Sequence, residues 1–289
     1  MKKPSRPSPP ESGSAEMAEV GDRASQAMRI ISSTKFWRGA LAIAIFIALW
    51  ETASRADISR VPPPTAVAVT FKELMADPSY WFSWYLSTQR VFAGFIAAML
   101  VGIPLGLGMA VSRAFYGTVF PVFEVLRPIP PLAWVPASII FWPTQELSIV
   151  FVTFLGAFYA VVINVIGGAQ AIDTRYYQAA RSMGSSSWDI FRRIILPGTL
   201  PSVMVGATVG IGIAWAVVVA AEMISGGGSA GSMGGAKGGG LGFFIWNSYV
   251  GGSYTQIVVG MISIGIAGYI SSALLRKLGE LVTPWLREQ

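Results

Sequence analysis

Apolar runs long enough to cross a membrane alternate with short polar interruptions along most of this chain. The clearest run lies between Val91 and Ser112, where no residue is charged. Others fall within 118–142, 147–168, 200–223 and 255–275, and a shorter one, Gly39–Trp50, is extended by Phe36 and Trp37. A helix needs about 20 apolar residues to cross a bilayer, and only helices and closed barrels satisfy their backbone groups in hydrocarbon. The pattern predicts an all-α membrane protein with six transmembrane helices, at about 36–53, 88–111, 118–142, 147–168, 200–223 and 255–275. Residues 1–35 are rich in Pro, Ser, Glu and basic residues without an apolar period, which predicts a disordered cytoplasmic tail. Residues 36–289 then form the transmembrane domain. A charge-then-apolar start also describes a cleaved signal peptide. No small-x-small site follows here, and the preceding tail is long, so the first span is read as retained.

The interruptions refine this picture. Ser54–Leu86 carries Pro62-Pro63-Pro64-Thr65, and Thr65 is placed to cap an amphipathic helix through Met75, with Val69 and Leu74 on its apolar side. Trp81, Trp84 and Tyr85 follow as an interfacial cluster ahead of the second span. Gly102-x3-Gly106 and Gly206-x3-Gly210 have the spacing for close helix approach. Pro128, Pro130, Pro131, Pro136 and Pro143 interrupt the third run. Broken backbone at membrane depth is tolerated where it is buried in protein or lines a cavity. Gly226–Gly242 reads as a flexible outer loop whose only charge is Lys237.

Composition narrows the function. The chain is 53% hydrophobic and 12% charged, with no Cys and no His. Disulfides, thiolate chemistry, Cys/His zinc sites and His-based catalysis are excluded. No GxxxxGK[ST] nucleotide loop is present, so any ATP hydrolysis belongs to other subunits. The net charge of +6 is no nucleic-acid signal, because Lys and Arg sit at the ends of apolar runs. With both termini inside, fifteen of the 21 basic residues fall on the cytoplasmic side and four outside.

The longest Arg-rich interruption in the second half is 173–197. Gly184 suits a left-handed helix end after Tyr176–Met183. Ser186 and Asp189 have capping-box spacing. Trp188, Phe191 and Ile195 recur on one helical face, and Pro197 is expected to stop that helix. Ala179, Ala180, Gly184, Ile194, Leu196 and Pro197 match the spacing Glu-Ala-Ala-x3-Gly-x9-Ile-x-Leu-Pro, with Gln178 in place of the Glu. The segment resembles the "EAA" cytoplasmic loop of ABC importer permeases. The resemblance implies a type I ABC importer permease fold and a hairpin that docks on an ATP-hydrolysing subunit. It makes Gln178, Ala179, Ala180, Gly184, Trp188, Phe191, Ile194, Leu196 and Pro197 the ATPase-coupling residues.

A second resemblance extends from about Val61 onward. Leu126–Pro136, Ala220–Met223 and Leu241–Asn247 are similar to segments of permeases for nitrate, sulfonate, taurine and bicarbonate. The chain departs from that pattern at Pro128 and by the insert Gly226–Gly239. The resemblance implies a homodimer in the bacterial inner membrane, two ABC ATPase subunits inside, an extracytoplasmic substrate-binding protein and a small oxyanion substrate, nitrate first. ATP-Mg belongs to the ATPases; this chain is expected to bind no cofactor, no metal and no nucleic acid, and to be no enzyme. The pathway candidates are Arg127, Pro130, Pro131, Trp134 and Glu222. Charges in or near spans default to functional hypotheses, and Arg90, Glu124 and Glu146 join Arg127 and Glu222 in that class. Glu124 and Arg127 have i, i+3 spacing for a pair. Arg127 lies about 14 Å into the third span if the span starts near Thr118, and is an interfacial anchor if it starts at Leu126. The competing class is an ion-driven carrier or channel. Against it stand the polar hairpin and the absence of a detectable inverted repeat.

Overall fold

The computed structural model describes residues 34–56, 61–226 and 239–284. Most of the N-terminal tail and residues 227–238 of the glycine-rich stretch lie outside the described residues, as do the expectations made for them. The chain falls into two compact units divided between Ala66 and Val67. All regular structure among the described residues is helical.

The first unit holds α1 (Thr34–Arg55), whose Leu41, Ile43, Phe46 and Leu49 are exposed. Helix α2 (Pro64–Leu74) crosses the division. Pro64 takes its first position, where a missing N–H does no harm. The Thr65 hydroxyl donates to Glu51 at 3.0 Å, so Thr65 is not the cap that its position suggests. The buried residues of α2 are Val67 and Leu74, one heptad apart, while Val69 is exposed. The expected apolar side was therefore misregistered at Val69.

In the second unit α3 (Pro78–Val111) runs for 34 residues, ten ahead of the expected start. Asp77 caps it by accepting from the Ser79 N–H, and Pro78 follows as a favourable first residue. Trp81, Trp84 and Tyr85 thus belong to the span helix itself. Ser112 caps α4 (Arg113–Leu126). The third run, 118–142, is broken as its prolines predict: α4 ends at Leu126, a 3₁₀ turn covers Pro131–Trp134, and α5 (Val135–Phe141) follows. Pro128, Pro130 and Pro131 remove three donors and disfavour helical backbone in the residues before them. Thr144 caps α6 (Gln145–Gln170), which leads to α7 (Thr174–Ser182) and α8 (Ser187–Ile190). A π segment, Phe191–Ile195, joins α8 to α9 (Leu196–Gly226). Last come α10 (Leu241–Val250) and α11 (Tyr254–Val282).

Among the described residues, four helical paths are long and apolar enough to cross a membrane: α3, α6, Ser187–Ser225 and α11. Helix α6 is the centre of the bundle. Its Val161, Val162 and Val165 are fully buried. Both glycine pairs face it, as their spacing predicts. A Cβ on Gly106 would lie 2.7 Å from Val165 Cγ1, and one on Gly206 would lie 2.7 Å from Asn164 Cβ. Small residues on both neighbours let α3 and α9 approach α6 closely, so dispersion contacts hold a bundle that lipid does not drive together.

Pro197 does not stop its helix. The path Ser187–Ser225 is continuous because the turn before Pro197 widens: the Leu196 N–H donates to Phe191 O, five residues back. That register removes the clash between a proline ring and the carbonyl four residues earlier.

Candidate functional site

The hairpin α7–α8 is built from local signals. Asp173 caps α7 by accepting from the Arg175 N–H. At the other end Gly184 adopts φ +79°, the left-handed conformation that glycine adopts at no steric penalty. The Ser185 N–H donates to Ala180 O at 3.0 Å and the Gly184 N–H to Arg181 O at 2.9 Å, which is the paired pattern of a Schellman helix end. Ser186 then caps α8: its Oγ accepts from the Asp189 N–H at 3.2 Å and donates to the Asp189 carboxylate. That hydroxyl bond holds the Asp189 carboxyl below its ordinary value, and burial pushes the Tyr177 hydroxyl up.

The hairpin has two faces. Ala180, Ile190 and Ile195 are buried in one core with Leu107, Val161, Val165, Ala169 and Val203, and Tyr177, Phe191 and Ile194 pack against it. Gln178, Ala179, Gly184 and Trp188 are exposed, Trp188 at 66%. Trp188 stacks on Phe191 with centroids 5.5 Å apart, so one ring faces out and the other anchors it. Leu196 is exposed and Pro197 half-buried. A groove of about 370 Å³ runs beside the hairpin, lined by Ile172, Tyr176, Arg193, Ile194, Pro197 and Gly198. Of the nine motif residues, five are exposed, four of them on the hairpin and Leu196 at the start of α9; Ala180, Phe191 and Ile194 hold the hairpin to the bundle.

At the opposite end of α6 and α9 lies a buried ionic cluster. Arg90 of α3 is 4% exposed and Glu222 of α9 is 1% exposed. Arg90 Nη1 donates to Glu222 Oε1 at 2.8 Å and to Gly239 O at 2.6 Å. Its Nε donates to Glu146 Oε2 at 2.8 Å, and Nη2 donates to Glu146 Oε1. Glu222 also accepts from the Ser87 hydroxyl at 2.8 Å and the Gly242 N–H at 2.9 Å. Ser87 Oγ in turn accepts from the Leu241 N–H at 2.8 Å. Every charge here is paired, and removing one partner from such a buried pair destabilises by about 3–5 kcal/mol. Glu222, picked as a pathway residue, is therefore saturated inside the protein. Arg90, whose role the sequence left open, is its counter-ion.

The proline-broken segment holds the other pathway candidates. Arg127 is the C-cap of α4 and pairs with Glu124 at 3.1 Å, as their spacing predicts. Both remain about two-fifths exposed, at 41% and 44%. Pro130 precedes the 3₁₀ turn, Pro131 starts it and Trp134 ends it. The Trp134 indole N–H is buried and has no hydrogen-bond partner among the described residues. Ser87, Gly240 and Gly242 escaped the sequence reading, because Ser87 lies 135 residues from Glu222 in the chain.

Known proteins resemble this chain along most of its length. The nitrate import permease protein NrtB of Synechocystis is 33% identical over 89% of this chain and 93% of its own length. The taurine transport system permease protein TauC of Escherichia coli is 28% identical over 84% of this chain and 87% of its own. In structure, the inward-facing MetNI methionine ABC transporter matches with a TM-score of 0.58 at 22% identity, over 72% of this chain and 99% of that one. A bacterial alginate-import ABC transporter matches with a TM-score of 0.55, over 93% and 99%. These likenesses show the permease fold of ABC importers. The family described as binding-protein-dependent transport system inner membrane component matches residues 102–288, and the chain belongs to it.

Proposed function

We propose that the chain is the membrane-spanning permease subunit of an ATP-driven importer for a small oxyanion, with nitrate first and sulfonate, taurine or bicarbonate next. The observation that carries the transport reading is the hairpin: a rigidly capped, two-faced element, anchored in the core and exposing Trp188, Gln178 and Ala179. A solute carrier working alone has no use for such a face, whereas a separate ATPase needs one. On this reading α1 and the broken α4–α5 path complete six spans, both termini and the hairpin are cytoplasmic, and two copies form the pathway. The ATPases hold ATP and magnesium, and an external binding protein selects and delivers the solute.

The substrate class rests on the relatives, among which nitrate import permeases stand at 32–33% identity and taurine and bicarbonate permeases at 27–28%. Two features of the chain support it. Arg127 lies about 21 Å along α4 from Arg113 at 1.5 Å per residue, past the middle of a hydrocarbon core about 30 Å thick if Arg113 marks its edge. Its guanidinium is permanently charged and its forked donors suit planar oxyanions. The unpartnered Trp134 N–H offers a further donor. The test is the complex with its own ATPase and binding protein in liposomes. Nitrate should drive ATP-dependent uptake and stimulate hydrolysis. Stimulation by a neutral or cationic solute and by no oxyanion would overturn the substrate class. Uptake without the ATPase would overturn the importer itself.

A further inference from the structure

We propose that Arg90 is a positioning residue for transport: it locks α3, the start of α6, the end of α9 and the start of α10, at the pole opposite the α7–α8 hairpin, into one block. The inference rests on the importer reading and adds a mechanical element to it.

The geometry is that of a bridge. One guanidinium edge, Nε and Nη2, grips Glu146 at the start of α6; the other, Nη1, grips Glu222 near the end of α9 and Gly239 O just before α10. Four of its five N–H donors are aimed at three chain segments. Glu222 carries the connection onward, because its carboxylate accepts the Gly242 N–H in the first turn of α10. A buried anion is favourable there, where the helix presents unsatisfied donors. Ser87, one turn before Arg90 on α3, accepts from Leu241 and donates to the same carboxylate. The start of α10 is thus held by side chains from two other helices rather than by a residue of its own.

Two glycines make room for this. Gly240 has φ +141°, and a Cβ there would fall on the Glu222 carboxylate. A Cβ on Gly242 would fall on Val219 O. The backbone is pressed onto the ion pair, and no other residue type fits. The arrangement is more than charge compensation. Lysine at position 90 would neutralise one carboxylate but lacks the planar fork that reaches two at once. Elements tied this tightly move together, so the transport motion is displaced to other joints.

The chain has no cysteine, so paired labels need no prior background substitutions. Spin labels at Tyr85→Cys with Ile224→Cys, and at Leu147→Cys with Tyr249→Cys, report within the block. Labelled copies diluted with unlabelled ones restrict the distances to one chain. In the wild-type complex both distances should stay within about 4 Å between the nucleotide-free and ATP-trapped states, while transport motions of helix shifts and rotations proceed elsewhere. Arg90→Lys keeps a buried charge opposite Glu222 and should still insert and copurify with the ATPase. Its uptake should fall about tenfold and both distance distributions should broaden, because one ammonium cannot bridge both carboxylates. Glu146→Gln, at a half-exposed position, should broaden only the pair that includes Leu147. A larger wild-type change on ATP trapping would overturn the block. Wild-type uptake and distances in Arg90→Lys would overturn the bridging role and leave only charge balance. A wild-type complex without ATP-driven uptake of any solute would instead sink the importer reading.

Discussion

Gly184→Val isolates the hairpin break from everything else in the protein. At φ +79° a Cβ on Gly184 meets nothing within 4 Å, so its penalty comes from the backbone and not from a clash with a neighbour. A left-handed L-residue costs about 1–2 kcal/mol, with a β-branched side chain at the upper end. Escape from that conformation surrenders the Ser185–Ala180 and Gly184–Arg181 bonds and rotates α8 against α7. Trp188 then leaves its place on the exposed face. If the penalty appears wholly as lost population of the docking-competent hairpin, ATPase affinity falls by about 5- to 30-fold, at 1.4 kcal/mol per factor of ten. The bundle core lies outside the affected turn, so membrane insertion and the thermal midpoint of the purified permease should hold. Gly184→Asn is the control, because Asn tolerates the left-handed position; it should bind within about threefold of wild type. The assay is titration of the ATPase onto immobilised permease, with uptake measured in parallel. Val binding within twofold of wild type, or Asn as poor as Val, would refute the reasoning.

Four other outcomes follow from the structure. Asp189 has a depressed carboxyl, held down first by the Ser186 hydroxyl. Its contribution to hairpin order is full above the ordinary aspartate value of 3.8 and is lost as pH falls through the lower folded value, so amide-exchange protection of 186–190 should be flat from neutral pH to about 4 and drop below it. Gly106→Leu drives a side chain into Val165 and should lower stability by about 1–3 kcal/mol in thermal unfolding, whereas Gly117→Ala, with open space at its Cβ, should be near neutral. Single cysteines at Ser186 and Ser253 should react from opposite sides of the membrane, and labelling of Ser186 from outside would make ATPase docking impossible. Arg127→Gln should reduce substrate-stimulated ATP hydrolysis without releasing the ATPase and Arg127→Lys should recover part; full uptake by the Gln variant would leave Arg127 only an anchor.

The hairpin was legible because its physics is local. The cap at Ser186 and the break at Gly184 involve partners within five residues, and the residue types announce them. The α3 start carries a local signal in Asp77 followed by Pro78, but Trp81, Trp84 and Tyr85 read as an interfacial cluster ahead of the span, which put the expected start ten residues late. Proline was harder. Pro104, Pro121 and Pro201 sit inside continuous helices, while the cluster from Pro128 to Pro131 ends one. Clustering predicts a break; a lone proline predicts either outcome, because neighbouring helices and local widening can satisfy the freed carbonyl. The ionic bridge was not legible at all. Arg90 announced itself as a charge in an apolar run, yet its partners lie 56 and 132 residues away, and only the packing of α3, α6 and α9 brings them together.

The continuous path Ser187–Ser225 links the two poles of the molecule. From Trp188 to Glu222 it spans about 51 Å at 1.5 Å per residue. Its base is not a free lever, because Ile190, Ile195 and Val203 on the path share one core with Ala180 of α7, Val161 and Val165 of α6 and Leu107 of α3. Close-packed interiors transmit displacement with little compression, so on the proposed importer reading a push on the exposed Trp188 is passed to the lower parts of α6 and α9 along with the hairpin. Compliance must then come from places where helical bonding is already altered. The π turn at Phe191–Ile195 is one, and Pro201, which lacks its donor one turn above Pro197, is the next. Above them α9 has no proline before Gly226, and its far end is bound through Glu222 to Arg90. On the proposed importer reading the path therefore yields at the π turn and at Pro201 in small adjustments shared with the core around them, and the upper part of α9 carries the displacement onward as a rod.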